Sequence, residues 1–498
     1  MSSLVFLMAK KKLLSAFFIS FVTFCVSFCV YVITLFSLKN SGNLPSTFFT
    51  AFKRKIISLS FFSFFYFVLS FSFSSFEKLS SFTGKKAEHL VFFEVCSQDI
   101  LSMAVLFICY FVGFITLLTF SDQIWSKNLE IPIIILYFQS ICYVLVSTDN
   151  LLILFLAYEL ILLPSIYIVL KGSYSEKSIQ ALIYFFIWTH IGSFFILISI
   201  VYIYITKNSL SYVELSSITF LSNEKTILYL LFFLGFGVKV PVWPLQYWLL
   251  KIHVEAPTPF SIFLSGFLVK IGVFCFYSST YFLKDIEFSY IGASLCIFGM
   301  LESSLKMWGQ DDLKKIVANA TVLDMNFTYL LFLFDDNKFL WIGVMSMLGH
   351  ALLSSYMFFL VECIYRRTGS RSVSKLSGLD NYYPNLVKSI WGMLFLFLGF
   401  PGTLKFYAEI RALSYFSFVG STPITIAIFF MVVFGGVCLA KSWLLVSYGQ
   451  YVPKQNKVKN NIYMDLTKYE IMIFLMLFLF SFLGCFLNIY VTLIFGIF

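Results

Sequence analysis

Long apolar runs follow one another along almost the whole chain. A run of about 20 apolar residues is typical of a helix that crosses a lipid bilayer. About fourteen such runs can be counted by this criterion, at 13–37, 56–75, 99–120, 130–147, 149–170, 179–206, 226–252, 257–281, 288–307, 314–334, 338–364, 385–413, 423–448 and 468–497. The pattern predicts an all-α integral membrane protein of about 14 transmembrane helices.

The composition supports this class. Of the 498 residues, 60% are hydrophobic and 12% are charged, and the mean hydropathy is +0.90. A soluble fold of this size would not tolerate so much apolar surface. The first run follows Lys10, Lys11 and Lys12, but it is too long for a signal peptide and lacks a small-residue cleavage site. We therefore expect a retained first helix.

The net charge of +10 is divided unevenly between alternate loops. About 20 of the 35 Lys and Arg fall in loops after odd-numbered helices and about 11 on the opposite side, which predicts both termini on the outer side of the membrane. We interpret basic clusters such as Lys53-Arg54-Lys55 and Arg366-Arg367 as topology signals and lipid contacts rather than as a nucleic-acid surface.

No motif for a redox cofactor or a metal is found. The ten cysteines contain no CxxC pair, and Cys25 and Cys29, one helical turn apart, are too weak a pattern for an iron–sulfur or zinc site. GxGxxG, Walker and HExxH motifs are also missing from the sequence. We expect this chain to bind no cofactor and no metal ion.

Ionisable residues near the middle of the predicted helices are the first candidates for function, because each costs about 2.5–3.5 kcal/mol at the bilayer centre. Counting 1.5 Å per residue places five of them roughly 15–20 Å into a core of about 30 Å: Glu159, His190, Lys270, Asp324 and His350. Any one of them could simply join two helices, and for His190 this reading is equally open. Together they predict a polar axis in the membrane plane, arranged as a proton relay.

The stretch GVKVPVWPL at 237–245 predicts a broken helix with a charge at the break. Because Pro241 and Pro244 have no backbone N–H, we expect the carbonyl of Gly237 to lose its partner and the helix to break there. A broken helix with an ionisable residue at the break, here Lys239, is typical of transporters. The alternative is a kink with Lys239 reaching the membrane interface.

The loop HVEAPTP then returns the chain towards the membrane. We expect Thr258 to cap the next helix, with Pro259 in its first turn and Lys270 further along. His253 and Glu255 flank this turn, either as further polar members of the site or as an ordinary capping cluster.

A second break, FPGT around Pro401, is followed by Glu409. The charges around the two breaks have similar spacings, with 80 residues from Glu159 to Lys239 and 85 from Asp324 to Glu409. This similarity predicts two inverted repeats of five helices, each with a broken fourth helix and with a site between them at mid-depth.

The predicted domain organisation follows from these repeats. N-terminal helices 1–3 occupy 1–125, the first repeat 126–285, the second repeat 286–450, and a C-terminal helix 451–498.

Several segments resemble one known family. The segment KVPVWPLQYWLLKIHVEAPTPFSIFLSGFLVKIG resembles the seventh and eighth helices of the antiporter-like (Mrp-type) subunits of respiratory complex I, and LAYELILLPSIYIV resembles their fifth helix. DLKKIVANAT, MLGHALLSSYMFFL, YRRTGSR and PGTLKFYAEI resemble later segments, so the resemblance covers roughly residues 99–450 and is highly specific. An acid at Glu409 resembles the fourth mitochondrial subunit, because its two relatives have lysine in this helix.

The resemblance implies proton translocation across the mitochondrial inner membrane, coupled to electron transfer from NADH to ubiquinone in partner subunits. Those partners are expected to hold NADH, FMN, iron–sulfur clusters and ubiquinone. This chain is expected to contact neighbouring antiporter-like subunits and lipids, including cardiolipin. The implied proton path has a first-half pair, a central connector, a connecting histidine and an outlet, which are Glu159 with Lys239, Lys270, His350 and Glu409.

The chain departs from the family pattern at three informative positions. Asp324 and Gln246 stand where the family usually has histidine, and Lys405 stands where it tends to have asparagine. Lys405 lies four residues before Glu409 on the same helix face and could hold Glu409 ionised. The secondary candidates for the path are His253, Asp324, Lys405 and His190.

Two other functions are compatible with the sequence. A stand-alone cation/proton antiporter would use the same fold without a redox partner, and a structural spacer would keep the charges for helix packing alone. A quinone-reducing enzyme has no cofactor motif to support it.

Overall fold

The computed structural model describes residues 89–120, 130–172, 176–283, 289–334, 336–449 and 465–495. The predicted spans 13–37 and 56–75 and the basic and cysteine clusters of the N-terminal region lie outside these residues. No β-strand occurs in the described ranges, where the backbone is helical apart from short connections. This confirms the all-α fold class.

The helices are numbered here in chain order. They are α1 His89–Thr119, α2 Glu130–Ser147, α3 Leu151–Leu160, α4 Leu162–Gly172, α5 Glu176–Lys207, α6 Tyr212–Ser217, α7 Ser222–Lys239, α8 Tyr247–Glu255, α9 Thr258–Phe263, α10 Val269–Thr280, α11 Ser289–Gly309, α12 Leu313–Leu331, α13 Asn337–Thr368, α14 Pro384–Phe397, α15 Leu404–Phe418, α16 Thr422–Tyr448 and α17 Lys468–Phe495. A π-helical segment, Leu264–Leu268, joins α9 to α10.

Six helical segments in the described part of the chain are long and apolar enough to cross a membrane. They are Ile100–Thr119, Leu151–Gly172, Glu176–Lys207, Thr258–Thr280, Asn337–Thr368 and Thr422–Tyr448. The protein is therefore a multi-pass membrane protein, and the total of about fourteen spans stays a prediction.

The chain divides into two compact units, Met1–Val144 and Leu145–Phe498. In the first unit α1 approaches α2 closely at Gly113, where a Cβ atom would lie 2.5 Å from the Gln139 side chain. In the second unit, 94% of the apolar stretch is buried in both Thr258–Thr280 and Asn337–Thr368, against 33% in Thr422–Tyr448. The first two are thus the inner helices, and they carry Lys270 and His350.

A short antiparallel backbone pair precedes α3. Leu151 N–H donates to Leu210 O (3.0 Å) and Tyr212 N–H donates to Asp149 O (3.0 Å). Between them, Asn150 caps α3 through its side-chain oxygen. The connection after α5 is thereby fixed to the start of α3.

The same arrangement occurs again in front of α12. Leu313 N–H donates to Arg371 O (2.9 Å) and Val373 N–H donates to Asp311 O (2.7 Å), while Asp312 caps α12. In each case the long helix that returns to this pair, α5 or α13, has 32 residues. The second unit thus contains one local backbone arrangement twice.

Glycines allow α5 and α10 to approach the end of α7. A Cβ atom at Gly192 of α5 would lie 2.7 Å from Gly235 O, and one at Gly272 of α10 would lie 2.8 Å from the Val240 side chain. Only a residue without a side chain permits these approaches. They fix the position of Lys239, the last residue of α7.

Candidate functional site

The first break lies between α7 and α8. Helix α7 ends at Lys239 and α8 begins at Tyr247. The expectation that Gly237 O loses its partner is wrong, because the turn at Pro241 brings the next N–H, that of Val242, within 2.9 Å of Gly237 O. Pro241 has no N–H to make the regular helical hydrogen bond to Gly237 O, and the N–H of Val242, five residues after Gly237, makes a hydrogen bond in its place.

Side chains satisfy other carbonyl groups of this break. Trp248 Nε1 donates to Val238 O (2.8 Å), and Asn326 Nδ2 of α12 donates to Pro241 O (3.2 Å). Both carbonyls belong to buried residues, where an unpaired polar group would be costly. The break is therefore enclosed by protein and tied to the second half of the unit.

Lys239 is buried at the end of α7, with 5% of its surface exposed. Its Nζ lies 3.4 Å from the centroid of the Tyr158 ring and donates to Tyr158 O at 3.4 Å. A small cavity lined by Lys239, Ser165 and Trp248 adjoins it. The ammonium is thus stabilised by a ring and a carbonyl inside the protein rather than by reaching outwards.

Glu159 and Lys239 are not in direct contact. The Glu159 carboxylate accepts a hydrogen bond from Ser193 Oγ (2.5 Å) and lies 3.9 Å from His190 Nδ1. Within the described ranges no ion pair joins Glu159 to Lys239, although their charges interact at longer range. The His190 side chain is 46% exposed, so the structure places it at the protein surface beside Glu159.

Lys270 is the second residue of α10, which follows the π-helical segment, and it is completely buried. Its Nζ donates to Ser265 O, and the Ser265 hydroxyl is buried with no hydrogen-bond partner in the described part of the chain. A π-helical turn frees backbone carbonyls from the regular helical pattern, which explains why Ser265 O can accept from a side chain.

His253 is the most enclosed of the histidines in the described ranges, with 0% exposure. Its ring stacks on Phe358 with centroids 4.7 Å apart, and neither ring nitrogen has a hydrogen-bond partner among the described residues. With Lys270 and Lys314 it interacts through longer-range charge and not through a hydrogen bond of its ring. The structure therefore does not join His253 by hydrogen bonds to another candidate.

The expected cap of the following helix is wrong in detail. Pro257 occupies the N-cap position of α9, and Thr258 is its first helical residue. The Thr258 hydroxyl instead donates to the Glu362 carboxylate of α13. A proline at the cap leaves the threonine side chain free to join two helices.

Asp324, His350 and Lys405 form a connected cluster from three helices. His350 Nδ1 lies 2.9 Å from Asp324 Oδ2, and Lys405 Nζ lies 2.9 Å from Asp324 Oδ1. Each carboxylate oxygen therefore has its own partner, and all three residues are largely buried. His350 Nε2 is buried and has no partner in the described residues.

Glu409 completes this cluster at the second break. The break separates α14, which ends at Phe397, from α15, which Thr403 caps. Lys405 Nζ lies 3.7 Å from Glu409 Oε1 and over the Phe397 ring, 3.7 Å from its centroid. The ammonium is therefore nearer to Asp324 than to Glu409, which differs from the expected pairing.

The sequence missed several side chains that complete the site. Tyr158 and Ser193 contact Lys239 and Glu159, and Ser265 O accepts from Lys270. The π-helical position of Ser265 has no clear sequence signal, whereas Tyr158 directly precedes Glu159 in the segment LAYELILLPSIYIV. Gln246, which departs from the family pattern, donates through its amide to the Glu302 carboxylate.

These features define a multi-pass helical membrane protein with buried, paired charges beside two helix breaks. Residues 148–437, more than half of the chain, match the family described as NADH:quinone oxidoreductase/Mrp antiporter, TM. The chain belongs to this family, which confirms the resemblance seen in its motifs.

A curated relative, NADH-ubiquinone oxidoreductase chain 4 of Paramecium tetraurelia, is 40% identical over 316 residues, which are 63% of this chain and 66% of the relative. Two solved structures share the fold, each with a TM-score of 0.70 over 79% of this chain and 82% of theirs. They are a chain of respiratory complex I from Thermus thermophilus with bound NADH, 20% identical, and a chain of the Mrp complex from Dietzia sp. DQ12-45-1b, 17% identical.

Proposed function

We propose that this chain is an antiporter-like membrane-arm subunit of a mitochondrial complex I and relays protons across the inner membrane. The observation that carries the proposal is the buried cluster of Asp324, His350, Lys405 and Glu409, because such charges are retained in a membrane mainly where they act on ions. Partner subunits transfer electrons from NADH to ubiquinone with FMN and iron–sulfur clusters. This chain binds no cofactor.

The proton path runs from Glu159 and Lys239 through Lys270 and His350 to Glu409. Two unit charges about 7 Å apart couple by about 2.4 kcal/mol at an effective dielectric of about 20. A movement of Glu159 towards Lys239 therefore changes how strongly the lysine holds its proton. The absence of a direct contact between these two described residues fits the more weakly coupled state of such a gate.

His350 is suited to receive the proton that Lys270 releases. With its Nδ1–H directed at Asp324, the free electron pair of the neutral ring lies on Nε2, which is buried without a partner in the described region. The charges of Lys270 and His350 interact across the gap between their helices. A bridging water would complete the transfer.

The proposal includes two inverted five-helix repeats, 126–285 and 286–450, between N-terminal helices at 1–125 and a C-terminal helix at 451–498. The duplicated backbone pairs before α3 and α12, each with a 32-residue helix returning to it, support this organisation. Both repeats then contain a broken helix beside the proposed path.

The proposed location is the mitochondrial inner membrane, with both termini on the intermembrane-space side. The distribution of Lys and Arg between alternate loops supports this orientation. Neighbouring antiporter-like subunits and lipids, including cardiolipin, are the proposed partners. Exposed apolar side chains on α5, such as Phe194 (62%) and Ile205 (70%), are available to such contacts.

The direct test is proton pumping per NADH oxidised in reconstituted assemblies that contain Lys239→Met. We expect reduced pumping with normal assembly, because the variant removes the ionisable group and keeps most of the side-chain volume. Lys251→Met is the matched control, since Lys251 is exposed beside the Tyr247 ring. Full pumping by Lys239→Met would make the structural spacer the better function.

The fold shared with the Mrp complex chain keeps a stand-alone cation/proton antiporter as the second candidate. Vesicles containing the isolated chain and a pH-sensitive dye distinguish the two. Sodium-dependent proton exchange without NADH oxidation would favour the antiporter.

A further inference from the structure

Each half of the second unit carries an acid, a histidine and a lysine in the same order of helices. In the first half, Glu159 follows the N-cap Asn150 by nine residues, and His190 lies on the 32-residue helix α5. Lys239 lies at the first break. These groups are apart, with 3.9 Å from His190 to Glu159 and the lysine over Tyr158.

In the second half, Asp324 follows the N-cap Asp312 by twelve residues, and His350 lies on the 32-residue helix α13. Lys405 lies just after the second break. Here the three groups are in contact, with two distances of 2.9 Å to Asp324. The two sets thus occupy similar positions on their helices but differ in contact. In the first set the lysine does not pair with the acid, and in the second set it does.

Lys405 also differs from Lys239 in having two acidic neighbours. Its Nζ is 2.9 Å from Asp324 Oδ1 and 3.7 Å from Glu409 Oε1, and Lys405 and Glu409 are four residues apart on α15. A rotation of the flexible lysine side chain would exchange these two distances without moving a helix. Because charge attraction grows as the distance falls, we expect the ammonium to lie nearer to whichever of the two acids is ionised.

We infer that Lys405 is a positioning residue that moves between Asp324 and Glu409 and thereby controls when Glu409 releases its proton. This inference rests on the proposed proton relay. When Glu409 is protonated, Lys405 pairs with Asp324. When the Glu409 proton leaves towards the aqueous outlet, Lys405 moves to the new carboxylate. Asp324 is then free to stabilise the positive charge of His350 after its ring has gained a proton.

The protons balance in this step. Glu409 loses one proton to water, His350 gains one from Lys270 at Nε2, and Lys405 keeps its proton throughout. The buried charge of the cluster is therefore unchanged after the exchange, which keeps the intermediate accessible in a low-dielectric interior.

Among the described residues, Lys405 of α15 forms an ion pair with Glu409. Asp324 of α12, which is itself paired with His350 of α13, interacts with Glu409 at longer range. On α16, Lys441 lies over the Trp308 ring, 3.5 Å from its centroid. On α17, Glu470 is paired with Arg367 at 2.5 Å. Lys405 is thus the nearest cation that Glu409 has among the described residues.

The test is the pH dependence of protons pumped per NADH in reconstituted assemblies with Lys405→Met. Without the ammonium, Glu409 ionises less readily, so we expect the profile to move to higher pH by about one unit or more. Lys405→Arg keeps the charge and should keep the profile. Lys441→Met is the matched control, since it removes another partly buried lysine away from this cluster.

A second variant covers the case in which Lys405→Met assembles poorly. Lys405→Gln serves here, because its amide can still donate a hydrogen bond to Asp324 but carries no charge. If Lys405 only stabilises the fold, Lys405→Gln pumps with the wild-type profile, and the inference is overturned. If Lys405 controls Glu409 through its charge, assembly recovers while the profile stays displaced.

Glu409→Gln separates this inference from the proposed function. Lost pumping in Glu409→Gln with an unchanged profile in Lys405→Met would overturn only the role of Lys405. Full pumping in Glu409→Gln would instead remove Glu409 from the relay, and the proposed path would be wrong.

Discussion

The Glu409 carboxylate packs directly against the backbone of Gly399 at the second break. A Cβ atom at Gly399 would lie 2.9 Å from Glu409 Oε2, and the φ angle of Gly399 is +66°. An L residue is strained at this angle, and a side chain would also displace the carboxylate. The glycine therefore provides both the turn of the break and the space for the acid.

Gly399→Ala is expected to lower stability and proton pumping together. The left-handed conformation costs about 1–3 kcal/mol for a residue other than glycine, and the added methyl group moves Glu409 away from Lys405. Gly369→Ala is the control, because Gly369 has φ +67° with nothing within 4 Å of its added Cβ atom. Thermal unfolding should show a similar loss of stability in both variants. Protons pumped per NADH should be reduced only in Gly399→Ala. Equal pumping in the two variants would contradict the role of this contact.

The Tyr158 ring is expected to be required for the function of Lys239. A cation over an aromatic ring gains about 0.5–2 kcal/mol, with the larger values at desolvated sites, so Tyr158→Leu should slow pumping by roughly twofold to thirtyfold. Tyr158→Phe keeps the ring and the backbone carbonyl and should pump almost normally. A comparison of initial pumping rates in the two variants is sufficient. A slow Tyr158→Phe would show that the hydroxyl, rather than the ring, matters.

Ser193 is expected to hold Glu159 in its position away from Lys239. A hydrogen bond to a charged group contributes about 1.5–3 kcal/mol, so Ser193→Ala should shift Glu159 towards other partners and change the pumping rate about tenfold or more. Ser199→Ala on the same helix is the control, because its buried hydroxyl bonds to Phe195 O. If both alanine variants pump alike, the Ser193 contact has no part in the relay.

Asp311 makes the second backbone pair sensitive to acid. Hydrogen bonds from the Ser372 hydroxyl (2.5 Å) and the Ser374 N–H (2.8 Å) lower the pKa of Asp311 from its ordinary value of 3.8. The folded state favours the carboxylate, so this contribution is complete above the unfolded pKa and is lost as the pH falls through the lowered folded pKa. Asp311 lies outside the helices, which places this effect in an aqueous loop.

We therefore expect acid-protease cleavage near 370–377 in the detergent-solubilised protein to increase as the pH falls below about 3.8. In Asp311→Asn the loop should be cleaved readily even at higher pH, because the asparagine cannot accept these bonds as a carboxylate. A pH dependence that survives Asp311→Asn would assign the effect to another group.

The sequence determined the helices and their breaks. Apolar runs such as 179–206 and 423–448 coincide closely with α5 and α16, because a long apolar run with few charges is what a membrane-crossing helix requires. Proline chemistry similarly located the break after Lys239, since a residue without an N–H ends the regular bonding in any context. These properties depend on residues near each other in the chain.

The partners of the buried charges were decided by the tertiary structure. Sequence spacing correctly placed Lys405 beside Glu409, but 81 residues separate it from Asp324, which is its nearer acid. Glu159 likewise accepts its hydrogen bond from Ser193, which lies 34 residues away on another helix. The strength of a charge pair falls with the distance between its atoms in space. The difference between 2.9 Å from Lys405 to Asp324 and 3.7 Å from Lys405 to Glu409 arises only when the helices pack.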